Sequence, residues 1–253
     1  MYTDTHAHLY HGGLEKELDA VMERAEKAGV EKIVCVGTDL ETSRKSITFS
    51  ERYPGIFATV GIHPHDAKEA PGAYLDEIRD LAAHDGVVGI GETGLDFYRN
   101  LSPPEIQVEI FRGQLELADE LDLPVIVHNR DADEALLRTI ESVGQRKGVM
   151  HCFTGTFEMA EKSLVLGFKI SFTGIITYGN ETIESVVRGV PLESMMIETD
   201  SPFLSPVPVR RRRNEPAHVP YVASRIAEIK GESLETVAHA TRETASRFFD
   251  LPG

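Results

Sequence analysis

The sequence predicts an α/β fold, a TIM (β/α)8 barrel, and two observations carry that prediction. Short apolar runs rich in Val and Ile alternate with amphipathic stretches along the 253 residues, a pattern typical of βαβ units around a parallel sheet. His, Asp and Glu residues follow several of these runs where a strand would end. Because such a barrel gathers its strand ends at one face, residues far apart in the sequence would meet there. The length suits a single barrel, so we expect one domain over residues 1–253.

The strands and helices are assigned in order from this alternation. The strands are predicted over residues 2–5, 32–36, 57–61, 87–91, 125–127, 148–151, 168–172 and 195–198. Apolar periodicity predicts helices between them over residues 14–28, 41–52, 73–84, 105–121, 133–143, 157–166 and 181–188. Gly29, Gly144 and Gly167 mark helix ends, because a residue without a Cβ tolerates positive φ. Residues 202–220 are rich in Pro and Arg and are predicted to be irregular, before two C-terminal helices near 219–230 and 234–248.

Composition restricts the partners and the compartment. The net charge is −15, so the molecule as a whole repels polyanions and any contact with nucleic acid has to be local. Cys35 and Cys152 lie inside apolar runs without a disulfide pattern, which favours a reducing compartment. The sequence starts directly with a strand, shows no leader and contains no stretch long enough to span a membrane. We expect a cytoplasmic protein with no membrane contact and no obligate protein partner.

Two histidines at the first strand predict half of a metal site. His6 and His8 are two residues apart, a spacing that in extended backbone points both imidazoles the same way. Neutral imidazole nitrogens are common ligands of divalent metals. The structural alternative is a pair of polar residues that caps the strand. Possible ligands at the ends of later strands favour the metal site.

Four later residues complete a candidate set of metal ligands, and each lies at or just past the end of a predicted strand: Glu92, His128, His151 and Asp200. A convergence of imidazoles and carboxylates predicts a divalent-metal site with hydrolytic chemistry. Taken singly, a Glu beside a glycine turn can be a surface residue, and a His at a strand end can be a core residue. Asp200 is the candidate general base, because a carboxylate beside a metal can accept a proton from water. Asp96 and Glu198 fit better as carboxylates that support the ligands.

Candidate substrate contacts come from other His and Arg residues. His63 and His65 can donate a proton to a phosphate or leaving group, or pack on Pro64. Arg130 can hold a phosphate with its forked guanidinium, or pair with a neighbouring Asp. The four arginines of residues 210–213 can hold a nucleic-acid backbone or form a solvated charge run. The substrate-binding candidates are Arg130, His65 and Arg213, and the aromatic residues that can stack on bases or fill loops are Phe97, Tyr98, Phe153, Phe157 and Phe203.

Six motifs occur in order along the chain: Asp4-Thr5-His6-Ala7-His8, Gly61-Ile62-His63-Pro64-His65, Gly91-Glu92-Thr93-Gly94-Leu95-Asp96, His128-Asn129-Arg130-Asp131-Ala132-Asp133-Glu134, His151-Cys152-Phe153-Thr154-Gly155 and Glu198-Thr199-Asp200-Ser201-Pro202, the last followed by Arg213-Asn214-Glu215-Pro216. Together they resemble the TatD family of metal-dependent deoxyribonucleases, which are metallohydrolase barrels. The resemblance covers essentially the whole chain. Two departures are Tyr10-His11, in place of acidic residues that often follow the first motif, and the more basic segment 209–213.

The resemblance implies two divalent ions, with Mg, Mn or Zn as occupants. His6, His8, Glu92 and Asp200 would surround one ion, and Glu92, His128 and His151 the other. We predict that Asp200, Glu92 and His63 act in the hydrolysis of phosphodiesters in single-stranded or frayed DNA, from the 3′ end. RNA and tRNA are alternative nucleic-acid substrates.

Two other functions remain open on the sequence. The same site suits an amidohydrolase, a lactonase or a D-aminoacyl-tRNA deacylase, because carbonyl chemistry also needs an activated water and a polarised oxygen. The third interpretation is a noncatalytic barrel that keeps its metal for stability. That interpretation is disfavoured because every expected ligand position is filled.

Overall fold

The computed structural model describes residues 1–145 and 147–252, and its eight strands form one sheet in the order β1 to β8. The pairs β1–β2, β3–β4, β4–β5, β5–β6 and β7–β8 are parallel. Sequential order of eight parallel strands is the order of a (β/α)8 barrel, so the predicted fold class is confirmed. The strands are β1 Tyr2–Ala7, β2 Val30–Val36, β3 Ile56–Val60, β4 Val87–Asp96, β5 Val125–Arg130, β6 Gly148–Met150, β7 Lys169–Phe172 and β8 Met195–Ile197.

Helices follow the strands along the chain as predicted. They are α1 Leu18–Lys27, α2 Leu40–Arg52, α3 Tyr74–Ala82, α4 Pro104–Glu120, α5 Asp133–Val143, α6 Phe157–Val165, α7 Glu181–Gly189, α8 Val219–Lys230 and α9 Leu234–Phe248. The predicted bounds of α5, α8 and α9 are confirmed. The predicted start of α1 at residue 14 is wrong. The backbone of Glu17 (φ −132°, ψ 32°) leaves helical values, so a short 3-10 turn precedes the α-helix.

Three predicted strands also end too early, and glycine is the reason for one of them. β5 was predicted over residues 125–127 but continues to Arg130, so His128 lies inside the strand. β1 continues to Ala7, so His6 lies inside the strand. β4 continues to Asp96, so Glu92 also lies inside its strand. The sequence placed a turn at Gly91 and Gly94, but Gly94 and Leu95 still pair with β5. A Cβ on Gly94 would lie 2.0 Å from the His128 carbonyl oxygen, so glycine here permits close pairing of strands.

The described chain contains two compact units, and each contains fully buried apolar side chains. Unit 1 comprises Met1–Cys35, Cys152–Leu164 and the part of Lys169–Gly253 that ends at residue 252. Unit 2 comprises Val36–His151, without residue 146, and Val165–Phe168. Fully buried side chains include Val34, Ile170, Phe172 and Ile226 in unit 1, and Ile78, Ile90, Phe111 and Leu115 in unit 2. The organisation as a single domain stays a prediction. Among the described residues, no helix has both the length and the apolar character that crossing a bilayer requires.

Candidate metal centre

In unit 2, three imidazoles surround one carboxylate oxygen. The Oε1 atom of Glu92 lies 3.0 Å from Nδ1 of His128 and 3.3 Å from Nε2 of both His63 and His151. Glu92 and His151 are buried, and the side chain of His128 is 18% exposed. We call Glu92, His63, His128 and His151 the Glu92 cluster. The ligand-type atoms of His63, Glu92 and His128 all lie within 4.8 Å of one another, close enough to surround a single cation.

Asp96 fixes the orientation of His128 from the other side of the ring. Its Oδ2 atom lies 3.2 Å from Nε2 of His128 and 2.8 Å from Nε2 of His65. A proton on Nε2 of His128 therefore points at a carboxylate, which leaves Nδ1 with a lone pair toward Glu92. A histidine ligand that donates its other N–H to a carboxylate is the usual arrangement at protein metal sites. The contacts of Asp96 agree with its predicted supporting role.

His63 has a different hydrogen-bonding state from His128. Its Nδ1 atom accepts a hydrogen bond of 3.1 Å from the backbone N–H of His65, so the neutral ring carries its proton on Nε2, which faces Glu92. Burial lowers the pKa of His63 to about 4, although the nearby Glu92 carboxylate acts in the opposite direction. His63 is therefore a neutral donor near pH 7, whereas a ligand at Nε2 would need a free lone pair.

Neighbouring polar groups outweigh burial in setting the pKa values of Glu92, His128 and Asp96. Burial alone would raise the pKa of Glu92, but the imidazoles of His151, His63 and His128 hold it well below its usual range. Burial alone would lower the pKa of His128, but hydrogen bonds to Asp96 and Glu92 raise it. Burial also opposes ionisation of Asp96, and hydrogen bonds from His128, the Arg99 backbone and His65 hold its pKa below the usual range. Both carboxylates are thus ionised at neutral pH, as metal ligands and their supports need to be.

In unit 1, His6, His8 and Asp200 form a second cluster. The Nε2 atoms of His6 and His8 are 3.1 Å apart, and they lie 3.8 Å and 3.3 Å from Oδ1 of Asp200. Asp200 is held there by its backbone, whose N–H donates to the His6 carbonyl at 2.9 Å, and it takes a left-handed conformation with φ 54°. We call these three residues the Asp200 cluster. Their spacing places two imidazoles and one carboxylate around a common point, and their role as metal ligands stays a prediction.

Further side chains in unit 1 hold this strand end in place. The carboxylate of Asp4 accepts hydrogen bonds from the backbone N–H of Thr199 at 2.8 Å and from its hydroxyl at 2.6 Å. Glu198 is buried and accepts from the backbone of Cys152 at 2.7 Å and from Ser171 at 2.6 Å. Glu198 thus ties the end of β8 to β7 and to the backbone of Cys152, and its role in supporting the metal ligands stays a prediction.

Some supporting residues were not identified from the sequence. The hydroxyl of Tyr10 lies 3.0 Å from Nδ1 of His8, so this departure from the family pattern contacts a candidate ligand. Two fully buried glutamines of α4 also act here. Gln107 accepts a hydrogen bond from the Asp96 backbone, and Gln114 contacts Ile62 and Thr93. Polar residues seven apart on the otherwise apolar face of α4 were the signal that could have identified them.

The predicted substrate contacts lie in different surroundings. Arg130 is exposed, and its guanidinium carbon lies 3.9 Å from the ring centroid of Tyr98, a ring that is 63% exposed. His65 is engaged with Asp96, as described above. The guanidinium of Arg213 donates to the Gly12 carbonyl at 3.0 Å and to the carboxylate of Glu17. The roles of these three residues in substrate binding stay predictions.

The donor sets of the two clusters fit a divalent metal ion. Each combines imidazole nitrogens with a carboxylate in a mostly buried setting. Mixed N and O ligands suit Zn²⁺ and Mn²⁺, and the carboxylates also suit Mg²⁺. Buried carboxylates and histidines at this spacing are the arrangement that a bound cation would stabilise.

Comparisons with known proteins agree with the motifs. The family model described as TatD related DNase matches residues 3–250. An uncharacterised metal-dependent hydrolase, YabD of Bacillus subtilis, is 44% identical over 254 residues, covering 99% of this chain and 100% of that protein. The 3′-5′ ssDNA/RNA exonuclease TatD of Escherichia fergusonii is 37% identical over 244 residues, covering 93% of this chain and 94% of that protein.

A solved structure extends the agreement to the fold. The crystal structure of YJJV, a TatD homologue from Escherichia coli K12, superposes with a TM-score of 0.94 at 29% identity, covering 99% of this chain and 98% of that chain. The predicted function as a metal-dependent hydrolase of the TatD type is confirmed by the family match together with these relatives. The chain belongs to the TatD related DNase family.

Proposed function

We propose that the protein is a 3′–5′ exonuclease for single-stranded or frayed DNA, and that it depends on two divalent cations. The observation that carries the proposal is the Glu92 cluster, in which three imidazole nitrogens converge on one buried carboxylate oxygen. The name of the Escherichia fergusonii relative supports the polarity of cleavage and adds RNA as a substrate. The proposal places the enzyme in the cytoplasm, where its free Cys35 and Cys152 would stay reduced.

One cation is assigned to each cluster. Glu92, His128 and His151 would hold one ion, since His63 carries its proton on the nitrogen that faces Glu92. His6, His8 and Asp200 would hold the other. The assignment of Glu92 as a ligand shared by both ions stays a prediction, as does the identity of the metal among Mg, Mn and Zn.

When bound, the cations would polarise the phosphoryl oxygen and lower the pKa of the attacking water. Asp200 would accept the proton of that water. It is suited to this role because its side chain is 14% exposed, whereas those of His6 and His8 are 0% and 6% exposed. Water can therefore reach the carboxylate while the imidazoles stay fixed.

His63 and Arg130 would act on the phosphate itself. His63 is neutral and carries its proton on Nε2, so it can donate a hydrogen bond to a phosphate oxygen or to the leaving oxygen. Arg130 offers a forked set of N–H donors beside His128 on β5. The ring of Tyr98 lies against the Arg130 guanidinium, a contact that favours a cation over the ring face. The pair thus presents a positive charge and an aromatic face to a nucleotide.

The experiment uses a single-stranded oligonucleotide labelled at its 5′ end, incubated with metal-loaded wild-type protein. A 3′–5′ exonuclease produces a ladder of labelled products that shorten one nucleotide at a time. Asp200→Asn is expected to lower kcat by about 10²- to 10⁴-fold, the range for loss of a general base. Asp85→Asn, an exposed Asp outside both clusters, is the matched control.

Two results would overturn the proposal. Retained activity in Asp200→Asn would show that this carboxylate is not the proton acceptor. Turnover of ester or aminoacyl substrates by a wild-type protein that leaves every oligonucleotide intact would favour carbonyl hydrolysis instead.

A further inference from the structure

An exposed loop of unit 1 presents three consecutive arginines. We define the arginine loop as residues 207–212. It starts with a short 3-10 turn over Val207–Val209 and is anchored at both ends. The backbone N–H of Val207 donates to the Thr177 hydroxyl at 2.9 Å, and the hydroxyl of Ser205 donates to the Arg212 carbonyl at 2.6 Å. The backbone of the loop is therefore held in place while its side chains face solvent.

Arg213 differs from the three arginines before it. Its guanidinium is engaged by the Gly12 carbonyl and the Glu17 carboxylate, so its charge is paired within the protein. Arg210 lies over the ring of Tyr178 at 4.1 Å, a contact that leaves its charge uncompensated by any acid. Over residues 1–145 and 147–252, Arg210, Arg211 and Arg212 form no ion pair with a carboxylate. The sequence alone could not separate these three arginines from the fourth.

Uncompensated arginines are notable in a chain of net charge −15. Seven arginines elsewhere in the described chain pair with carboxylates: Arg24, Arg44, Arg79, Arg138, Arg188, Arg225 and Arg242. Arg130 instead lies over the ring of Tyr98, and Arg112 donates to the hydroxyl of Ser142. Three adjacent positive charges without such partners attract a polyanion locally, although the whole molecule repels it. The guanidinium fork matches the oxygens of a phosphodiester, so phosphate is the chemical group that this loop fits best.

The arginine loop also lines a shallow cavity and is tied to the strand end that carries Asp200. The cavity has a volume of about 370 Å³ and is lined by Val207–Arg212, within the size range of small-ligand pockets.

The side chain of Asn214, just beyond the loop, donates to the carbonyls of Thr199 and Phe203. Phe203 is 52% exposed, and its ring centroid lies 6.2 Å from that of His8. In the sequence, this exposed aromatic residue lies between Asp200 and the three arginines.

We propose that the arginine loop binds the phosphates of single-stranded nucleic acid several nucleotides upstream of the bond that is hydrolysed. Phe203 would stack on a base between the Asp200 cluster and the loop. This inference rests on the proposed exonuclease function and adds that the enzyme prefers strands long enough to reach the loop. Because the loop contacts backbone phosphates, the preference depends on strand length and salt, and it is independent of base sequence.

The test compares Arg211→Gln/Arg212→Gln with a charge-matched control, Arg112→Gln/Arg138→Gln, which removes two exposed arginines from α4 and α5. Binding of a fluorescent 15-nucleotide single strand with a nuclease-resistant backbone is measured by anisotropy at several salt concentrations. The loop variant is expected to bind at least tenfold more weakly than wild type at low salt. Its slope of log Kd against log salt should fall by about 1.4, since each lost phosphate contact with a single strand contributes about 0.7.

Hydrolysis of strands of different length supplies the second measurement. With the 15-mer, kcat/KM of the loop variant should be at least tenfold lower than that of the wild type, through a higher KM. With a dinucleotide, which cannot reach the loop, this loss should be smaller. Equal losses in the loop and control variants, or equal losses at both lengths, would overturn the inference. A wild-type protein that hydrolyses no oligonucleotide defeats the exonuclease proposal instead, and thermal melting of both variants verifies that they are folded.

Discussion

At the scale of single residues, the two nitrogens of His128 explain how an imidazole can be both fixed and basic. One nitrogen faces Glu92 and the other faces Asp96, at 3.0 Å and 3.2 Å. These contacts orient the ring for a cation at Nδ1, and they also raise the pKa of His128. A proton and a cation therefore compete for the same nitrogen. Asp96, which touches His128 without belonging to the Glu92 cluster, controls that competition.

Asp96→Asn is expected to change how metal binding depends on pH. In the wild type, Mn²⁺ affinity should fall as the pH drops through the raised pKa of His128, by up to about tenfold per pH unit for one competing proton. Asn keeps an oxygen that can accept from Nε2 but removes the negative charge, so the pKa of His128 falls and the loss of affinity moves to lower pH. Overall affinity should weaken about 10- to 100-fold.

Calorimetric titration of chelator-treated protein with Mn²⁺ from pH 5.5 to 8 checks this expectation. Asp85→Asn serves as the control, since it removes an exposed carboxylate elsewhere. A pH profile in Asp96→Asn that is weaker but unshifted would assign Asp96 a structural role only.

At the scale of elements, the glycines of β4 allow β5 to pair closely with it, and this pairing brings the carboxylates of β4 next to a histidine of β5. Gly91 and Gly94 both have φ near 135°, a conformation that side-chain-bearing residues rarely adopt. At Gly94 the backbone of β5 fills the space that a Cβ would take. This close pairing places Glu92 and Asp96 of β4 beside His128 of β5. The stability of this strand pair should therefore be sensitive to any added Cβ.

Gly94→Ala is expected to destabilise the protein by roughly 3 kcal/mol or more, the sum of backbone strain and overpacking. The matched control is Gly144→Ala, at the end of α5, where φ is 85° but no neighbouring atom of the described residues lies within 4 Å of the added Cβ. That change should cost about 1–2 kcal/mol, from backbone conformation alone. Chemical denaturation of both variants gives the two free energies, and similar values would contradict the close approach of β5.

The same elements show which features of the fold and of the site could be predicted from the sequence. The alternation of Val-rich runs and amphipathic stretches was sufficient for eight strands and the order of the helices, because hydrophobic periodicity is a local property. It placed Glu92 just past a strand, since glycine resembles a turn in sequence and only the partner strand shows that pairing continues. The sequence also could not predict the proton on Nε2 of His63 or the ion pair between Arg213 and Glu17. They depend on which groups meet across long separations in the chain.

At the scale of the whole molecule, acidic residues outnumber basic ones, so we expect bound divalent cations to stabilise the folded state in addition to their role in hydrolysis. The chain has 41 acidic and 26 basic residues, and the two clusters bury the carboxylate of Glu92 and most of that of Asp200 among imidazoles. Without a cation, such groups depend on protonated histidines for compensation. A ligand that binds only the folded state stabilises it in proportion to the logarithm of its concentration.

Removal of metal is therefore expected to lower the melting temperature. At 100 times its Kd, each bound cation adds about 2.7 kcal/mol to the free energy of unfolding, which corresponds to roughly 5–11 °C for a chain of this size. Wild-type protein should bind two Mn²⁺ per chain by elemental analysis. His8→Asn should lose the ion of the Asp200 cluster and about half of the thermal shift, and His151→Asn should lose the ion of the Glu92 cluster. A single equivalent of metal in the wild type, or loss of both ions in either variant, would contradict the assignment of one ion to each cluster.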